Sequence, residues 1–339
     1  DLIYPIQGQF PDPSHSNRRP PYLKQGTRDI STKYDTRIMD VCGQYVCTSG
    51  NLTKVWSILD GEIVASFANT EGVKVTSVAF KPTINVNEGI RLWVGNNVGE
   101  IQEIDIFSQN FTAAKSNAHS RREIIKIYRH HRDMWTLDNS GTLNLWTADT
   151  TGFISLKNYV QSFRLPKGHT FSLVKGNKLW FATGRDIRIY MPTVDASARF
   201  EVLSTSLSQP NTGDITSGTT ITAQSESIFF GHADGKVSIY SSHNYTCLGI
   251  VVVSIYKITS MAGIAENLWV SFSTGMVYIY DVLKSPWIVK KDWSAHQGPV
   301  TKMISDPSSC WMLDRAQVVT LGQDNMIRLW DGFLEDDFI

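Results

Sequence analysis

Cysteine is scarce in this chain: Cys42, Cys47, Cys247 and Cys310 are the four in 339 residues. None forms a C-x-x-C pair, and four in this length make no disulfide framework, so a reducing compartment is the simplest expectation. Excess charge is missing too. Thirty-two basic residues balance thirty-two acidic ones. That removes the global electrostatic signature of a nucleic-acid binder, or of a chain held on an anionic membrane by charge alone. Long apolar runs are absent; the longest, Leu248 to Tyr256, is far too short to span a bilayer. The opening DLIYPIQGQF has neither a basic n-region nor an apolar h-region, so no signal peptide is expected. The expected location is cytoplasmic, with peripheral membrane contact left open, and the Asn-x-Thr sequons at Asn51, Asn110 and Asn244 read as chance. No Gly-x-Ser-x-Gly elbow, P-loop or kinase signature occurs.

What the chain does have is repetition. Val318 to Gly332, VVTLGQDNMIRLWDG, reads as apolar strand, turn, apolar strand. Gly322, Asp324 and Asn325 supply turn chemistry, because these residue types tolerate positive φ. Met326 to Trp330 then alternates large apolar with polar, the period of a half-buried strand. Six earlier hairpins share this form, ending at Trp56, Ile104, Trp146, Tyr190, Tyr240 and Tyr280. Successive anchors lie 48, 42, 44, 50, 40 and 50 residues apart, counting the last at Trp330. Gly99, Gly141, Gly235 and Gly275 each precede an anchor by five residues. A hairpin of this kind cannot bury its own faces and must stack against copies of itself. The expected fold is therefore all-β: a seven-bladed WD-repeat β-propeller with four antiparallel strands per blade.

Lead-in strands are expected at 75–82, 123–130, 169–176, 257–264 and 299–306, and outer strands at 62–68, 200–205 and 287–293. The segments 82–89, 206–217 and 305–316 read as surface loops. Residues 1–30 are proline-rich and polar and read as a flexible tail; 31–332 form the propeller; 333–339 read as an acidic linker toward a following domain. The last hairpin ends nine residues before the end of the sequence, so blade seven lacks an outer strand of its own. A ring left open exposes strand edges and an apolar face. The candidate to close it lies within Tyr22 to Thr32, with Phe333 to Ile339 as the alternative.

His119, His169 and His296 stand at or just before lead-in strands of separate blades, which favours structural hydrogen bonds over convergence on one site. In the last blade the expected network is His296, Thr320, Asp324 and Trp330. His232 falls inside a hairpin strand and is discounted. His130-His131 is not expected to hold a metal, because adjacent strand residues face opposite ways. The candidate binding residues are Arg121 and Arg122, ahead of a lead-in strand, and the turn residues Asn96, Asp138, Arg185 and Asp234. All belong to one face of the disc, together with the loop 206–214. An arginine pair there suits carboxylate or phosphate.

Trp330-Asp331 is the dipeptide of the WD repeat, and the wording goes further. CGQYVCTSG (42–50), AHSRREIIKIYRHHRDMWTLD (118–138), GHTFSLV (168–174), FGHADGKVSIYSS (230–242) and LGQDNMIRLWDGFLEDD (321–337) resemble the N-terminal propeller of the fungal WD-repeat inositol polyphosphate 5-phosphatases. The resemblance implies a non-catalytic interaction or targeting propeller, followed in cis by a magnesium-dependent phosphatase domain. That domain's Gly-Asp-x-Asn and Pro-Ala-Trp-x-Asp-Arg motifs do not occur here: Gly213-Asp214 runs into Ile-Thr, and Asp314-Arg315 lacks the preceding words. No cofactor is expected for this chain. Its partner is expected to be a protein of unknown identity, with an anionic membrane surface as a further candidate and no nucleic acid. The rival readings are a free-standing scaffold recognising a peptide or ubiquitin, and a direct phosphoinositide-binding propeller.

Overall fold

The computed structural model describes residues 10–83, 89–157, 159–315 and 317–334. Among these residues the strands fall into seven antiparallel sheets, one per blade. The first strands of the blades are Thr36–Cys42, Val75–Phe80, Ile124–His130, His169–Lys175, Ile215–Thr220, Ile258–Ile264 and Val300–Ile304. They neighbour one another around a ring and line a central channel. Each is followed by its hairpin, as in Asp133–Asp138 with Thr142–Trp146 of blade three and Gln317–Gly322 with Met326–Asp331 of blade seven. All seven anchors named from the sequence lie in the third strand of a blade. The large apolar residues of these hairpins alternate between the blade's two faces, so each sheet buries both faces against its neighbours. Trp93 of blade two packs edge-to-face on Trp146 of blade three at 5.6 Å, and Trp293 of blade six on Trp330 of blade seven at 5.2 Å.

The glycines five residues before the anchors have a common reason. Gly99, Gly141, Gly235 and Gly275 have φ between +83° and +96°. A Cβ on any of them would lie 2.0–2.2 Å from a carbonyl oxygen of the incoming loop. Both the left-handed backbone and the close approach exclude a side chain.

Blade seven is closed by the N-terminal segment. Asp29–Ser31 pairs antiparallel with Met326–Asp331 and takes the outer position. Leu23 and Ile30 are buried at the seam of blades seven and one, among Val41, Val46, Leu321 and Leu329. The proline-rich segment upstream is not a free tail from Phe10 onward. Asp12 and Asn17 bridge in parallel to Ile288 and Lys291 of the outer strand of blade six, Ile288–Ser294. Ser16 Oγ donates to Asp292, and the buried Lys291 Nζ donates to the Arg19 carbonyl at 2.8 Å. The composition argument failed because the strap borrows a sheet edge already present and needs little apolar surface of its own. The acidic residues 335–339 lie outside the described residues; Leu334 just before them is buried against the blade six–seven core.

Two other local expectations are modified. The segment 305–316 is not wholly a loop: Pro307–Leu313 is a short helix, with Asp306 accepting from the Ser309 N–H at 3.1 Å as its N-cap. The Asp-Pro step is an N-cap followed by proline at N1, so the signal was in the sequence. In blade four the outer position is held by isolated bridges, Tyr190 with Glu201 and Ile187 with Leu207, rather than by a continuous strand over 200–205. Much of the loop segment 82–89 lies outside the described residues.

Candidate functional site

The histidines resolve into distinct roles. In blade three His119 Nδ1 lies 2.8 Å from Asp138, its Nε2 2.7 Å from Thr136 Oγ1, and that oxygen accepts from the Trp146 indole at 2.9 Å. Blade seven repeats the chain: His296 with Asp324 at 2.9 Å and with Thr320 at 2.7 Å, and Trp330 donating to Thr320 at 2.9 Å. The aspartates reach the ring from different turn positions. Gly322 stands where Asp138 stands in blade three, and a Cβ there would lie 2.4 Å from His296 Nδ1. Burial opposes ionisation of Asp138, but His119, Ser140 and the Thr142 N–H hold its carboxyl down at about 2. His169 does not join such a network; it bonds Ser172 at 2.7 Å and packs on Phe181. His232, discounted from sequence, is buried and bridges the Gly213 carbonyl and Ser238 Oγ at 2.7 Å each. His130 and His131 do sit together, their rings 4.3 Å apart, because His131 has φ +54° and breaks the strand alternation on which their separation was argued. Among the described residues no three His, Cys, Asp or Glu side chains are grouped to hold a metal.

The loops before the first strands and the turns inside the hairpins share one face. Arg121 and Arg122 are exposed there on a fixed turn: the Arg121 N–H donates to the Val98 carbonyl and the Arg122 N–H to the His119 carbonyl. Arg185 is exposed on the blade four turn, and Asp234 pairs with Lys236 at 3.2 Å. Asn96 and Asp138 differ from expectation. Both are 3% exposed, and their oxygens accept turn N–H groups, Val98 and Glu100 for Asn96, Ser140 and Thr142 for Asp138. A short acceptor at the end of the second strand is what such a turn requires, so they shape the face from inside.

The central channel carries a second set of polar groups that the sequence pattern did not single out. Every first strand has its register shift one step after its first pair. The extra residue is Thr76, Thr170, Thr216, Thr259 or Thr301 in five blades. Such bulges aim one residue out of the ladder. The last four, with Asp214 and Lys257, line a cavity of about 560 Å³ at the channel mouth. The next residue is Lys126 in blade three and Lys302 in blade seven, paired with Leu137 and Leu321 at matching hairpin positions. Both side chains are exposed within the channel. Burial in the ring, and Lys302 opposite, push the Lys126 ammonium down to about 8; burial lowers Lys302 as well. Burial, then these two cations, push His169 down to about 4.

Below the lysines the channel is crossed by Arg129. Its guanidinium donates to Asp40 at 2.8 Å, to the Phe80 and Val41 carbonyls at 3.1 and 3.2 Å, and lies 3.6 Å from Asp306. Blades three, one, two and seven are tied by this one side chain. Burial works against its charge, but Asp40 and Asp306 outweigh that and hold it protonated.

Comparison with known proteins adds a relationship. The chain is 31% identical over 344 aligned residues to a probable inositol polyphosphate 5-phosphatase of Schizosaccharomyces pombe, covering 98% of this chain and 28% of that protein. This chain thus spans little more than a quarter of its relative, and no family model matches it. Among solved structures it is similar to a chain of the mitotic checkpoint complex, with TM-score 0.69, 14% identity and coverage of 93% and 98%. It is also similar to Sqt1 of Saccharomyces cerevisiae, with TM-score 0.66, 11% identity and coverage of 90% and 98%. Those two likenesses speak for the seven-bladed fold alone. The sequence relationship is to the kind of phosphatase that the motifs resemble, and it runs through the propeller.

Proposed function

We propose that this propeller is the interaction and targeting module of an inositol polyphosphate 5-phosphatase, and that hydrolysis belongs to a separate domain of the same protein. The observation that carries the reading is the lopsided coverage: 98% of this chain matches 28% of a protein named for that activity. The matched part is propeller, and the two phosphatase motifs do not occur in it. In this reading any magnesium chemistry belongs to that other domain.

The docking surface in this reading is the face carrying Arg121, Arg122, Arg185 and the loop 206–214. Arg121 and Arg122 make no ion pair among the described residues, and their backbone is pinned by the hydrogen bonds given above. Two guanidinium groups carried on a pinned backbone suit an acidic protein segment, since their side chains must be ordered on binding but the turn that carries them need not be. The test is crosslinking of the full-length protein in cells, followed by the Arg121→Glu/Arg122→Glu double variant. Crosslinks should map to this face and be lost in the variant, with Tm unchanged. Crosslinks confined to the opposite face, around 81–83 and 305–315, or an unchanged partner affinity, would overturn it.

A further inference from the structure

Buried charges are ordinarily paired, and the central channel departs from that rule. Here Lys126 and Lys302 enter it at one level from blades nearly opposite on the ring. The other residues at that level are Ile38, Ser77, Phe171, Ser217 and Ser260, and none of them is acidic. Among the described residues neither lysine has a carboxylate partner; the nearest specific contact is Lys126 Nζ, 5.7 Å from the centre of the Tyr128 ring. The carboxylates beneath are committed: Asp40 to Arg129 and the Phe80 N–H, Asp306 to the Gly43 and Ser309 N–H groups. At the rim one cation, Lys257, and one anion, Asp214, line the mouth. The result is a well plugged at one end by Arg129, open at the other through the threonine-lined mouth, and holding two cations that burial disfavours, Lys126 also feeling Lys302.

We propose that this well is a binding site for a small phosphate-bearing ligand, held between Lys126 and Lys302 and entered through the mouth formed by Thr170, Thr216, Thr259 and Thr301. The charge selects the class. A phosphate monoester carries about −1.5 to −2 at neutral pH, which matches two ammonium groups, whereas one carboxylate neutralises only one. Lysine meets phosphate as a point charge and needs no planar fork. The threonine hydroxyls are spent within the blades, Thr170 on the Ala182 and Gly184 carbonyls, Thr216 on the Gly231 and Ile258 carbonyls and Thr259 on Ser271, with Thr301 Oγ1 buried without a hydrogen-bond partner, so the mouth shapes the entrance and the lysines meet the charge. The cavity of about 560 Å³ is the mouth itself, lined by the four threonines with Asp214 and Lys257, and it gives the way in to the two lysines rather than their own volume. The mouth shares Asp214 with the face that carries Arg121 and Arg122, but Lys126 and Lys302 lie on first strands and are not part of that face, so substituting them tests the well apart from the proposed docking surface.

The experiment is titration calorimetry of the whole chain with inorganic phosphate, with inositol hexakisphosphate, and with vesicles of phosphatidylcholine containing phosphatidylinositol 4,5-bisphosphate. Each probe is run against wild type, Lys126→Met, Lys302→Met, Lys302→Gln and, as a charge control, Lys284→Met at an exposed lysine between the outer strands of blade six. Saturable binding of a soluble probe, weakened about tenfold or more by each channel-lysine substitution and unchanged in Lys284→Met, is the expected result. Vesicle binding lost in the channel-lysine variants would assign the phosphate to a lipid headgroup; binding of soluble probes alone would assign it to a free ligand. The methionine and glutamine variants of the channel lysines remove a buried charge that has no carboxylate partner, so their Tm should equal or exceed that of wild type. No binding of any probe at millimolar concentration, or binding that the channel-lysine substitutions leave unchanged, overturns the proposal.

Discussion

The seam between blades seven and one predicts a measurable dependence on two residues far upstream of the repeats. Leu23 is 3% exposed and Ile30 6% exposed, both in the cluster with Val41, Val46, Val319, Leu321 and Leu329. Around them the segment is tied to blade seven by the Leu329 N–H to the Arg28 carbonyl at 2.9 Å, and by the Asp331 N–H to the Pro21 carbonyl at 2.8 Å. Truncating a buried Leu or Ile to Ala costs about 2–5 kcal/mol, with the spread set by how far the site collapses. Unfolding entropy near 2.1 cal/mol/K per residue implies about 0.7 kcal/mol/K for a chain of this length, so about 3 kcal/mol lowers Tm by about 4 °C. Leu23→Ala and Ile30→Ala should each show such a drop in scanning calorimetry at a fixed scan rate. The double variant should approach the sum or exceed it, because both residues line one seam. Deleting residues 1–34 should cost more than the double variant, since it also uncovers the edge of Met326–Asp331. Ile255→Ala, at a residue 81% exposed, is the control that should not move. A double variant melting within about 1 °C of wild type would refute closure by this segment.

Other expectations follow from the buried networks. Trp330→Ala should cost about 3–5 kcal/mol as a large buried truncation, and Asp324→Ala about 1–3 kcal/mol by unpairing His296, both read from denaturant midpoints; wild-type stability in either would deny the network its structural role. Arg129→Met leaves Asp40 and Asp306 without their shared cation, so a loss of about 3–5 kcal/mol is expected, growing as pH rises and Asp306, whose carboxyl burial pushes up, ionises. Asp138, held at about 2 in the fold against an ordinary value near 3.8, contributes stability that is present above the unfolded value and lost as pH falls toward 2. That contribution is roughly 2 kcal/mol; in Asp138→Asn the acid-induced loss between pH 5 and 2 should be smaller by about that amount, and an unchanged acid profile would contradict it.

The repeat was legible because a blade is a local object. Its hairpins declare themselves through period-2 patterning, a glycine that must pass under an incoming carbonyl, and an anchor at fixed spacing. The order of blades then follows from chain order, since each packs on the next. His296, Thr320, Asp324 and Trp330 could be grouped from sequence for the same reason: all four sit within one repeat. Asn96 and Asp138 show the limit of that reading. Exposure of a turn residue depends on whether its side chain turns back onto its own N–H groups, and residue type alone does not decide this. The strap was missed because its partner, the edge of Ile288–Ser294, lies some 270 residues away in sequence and is supplied by the fold. Lys126, Arg129 and Lys302 carry no periodic signal in the chain. Only closure of the ring brings blade three across from blade seven, and only there do like charges without counter-ions, and one arginine between two carboxylates, come into existence as a site.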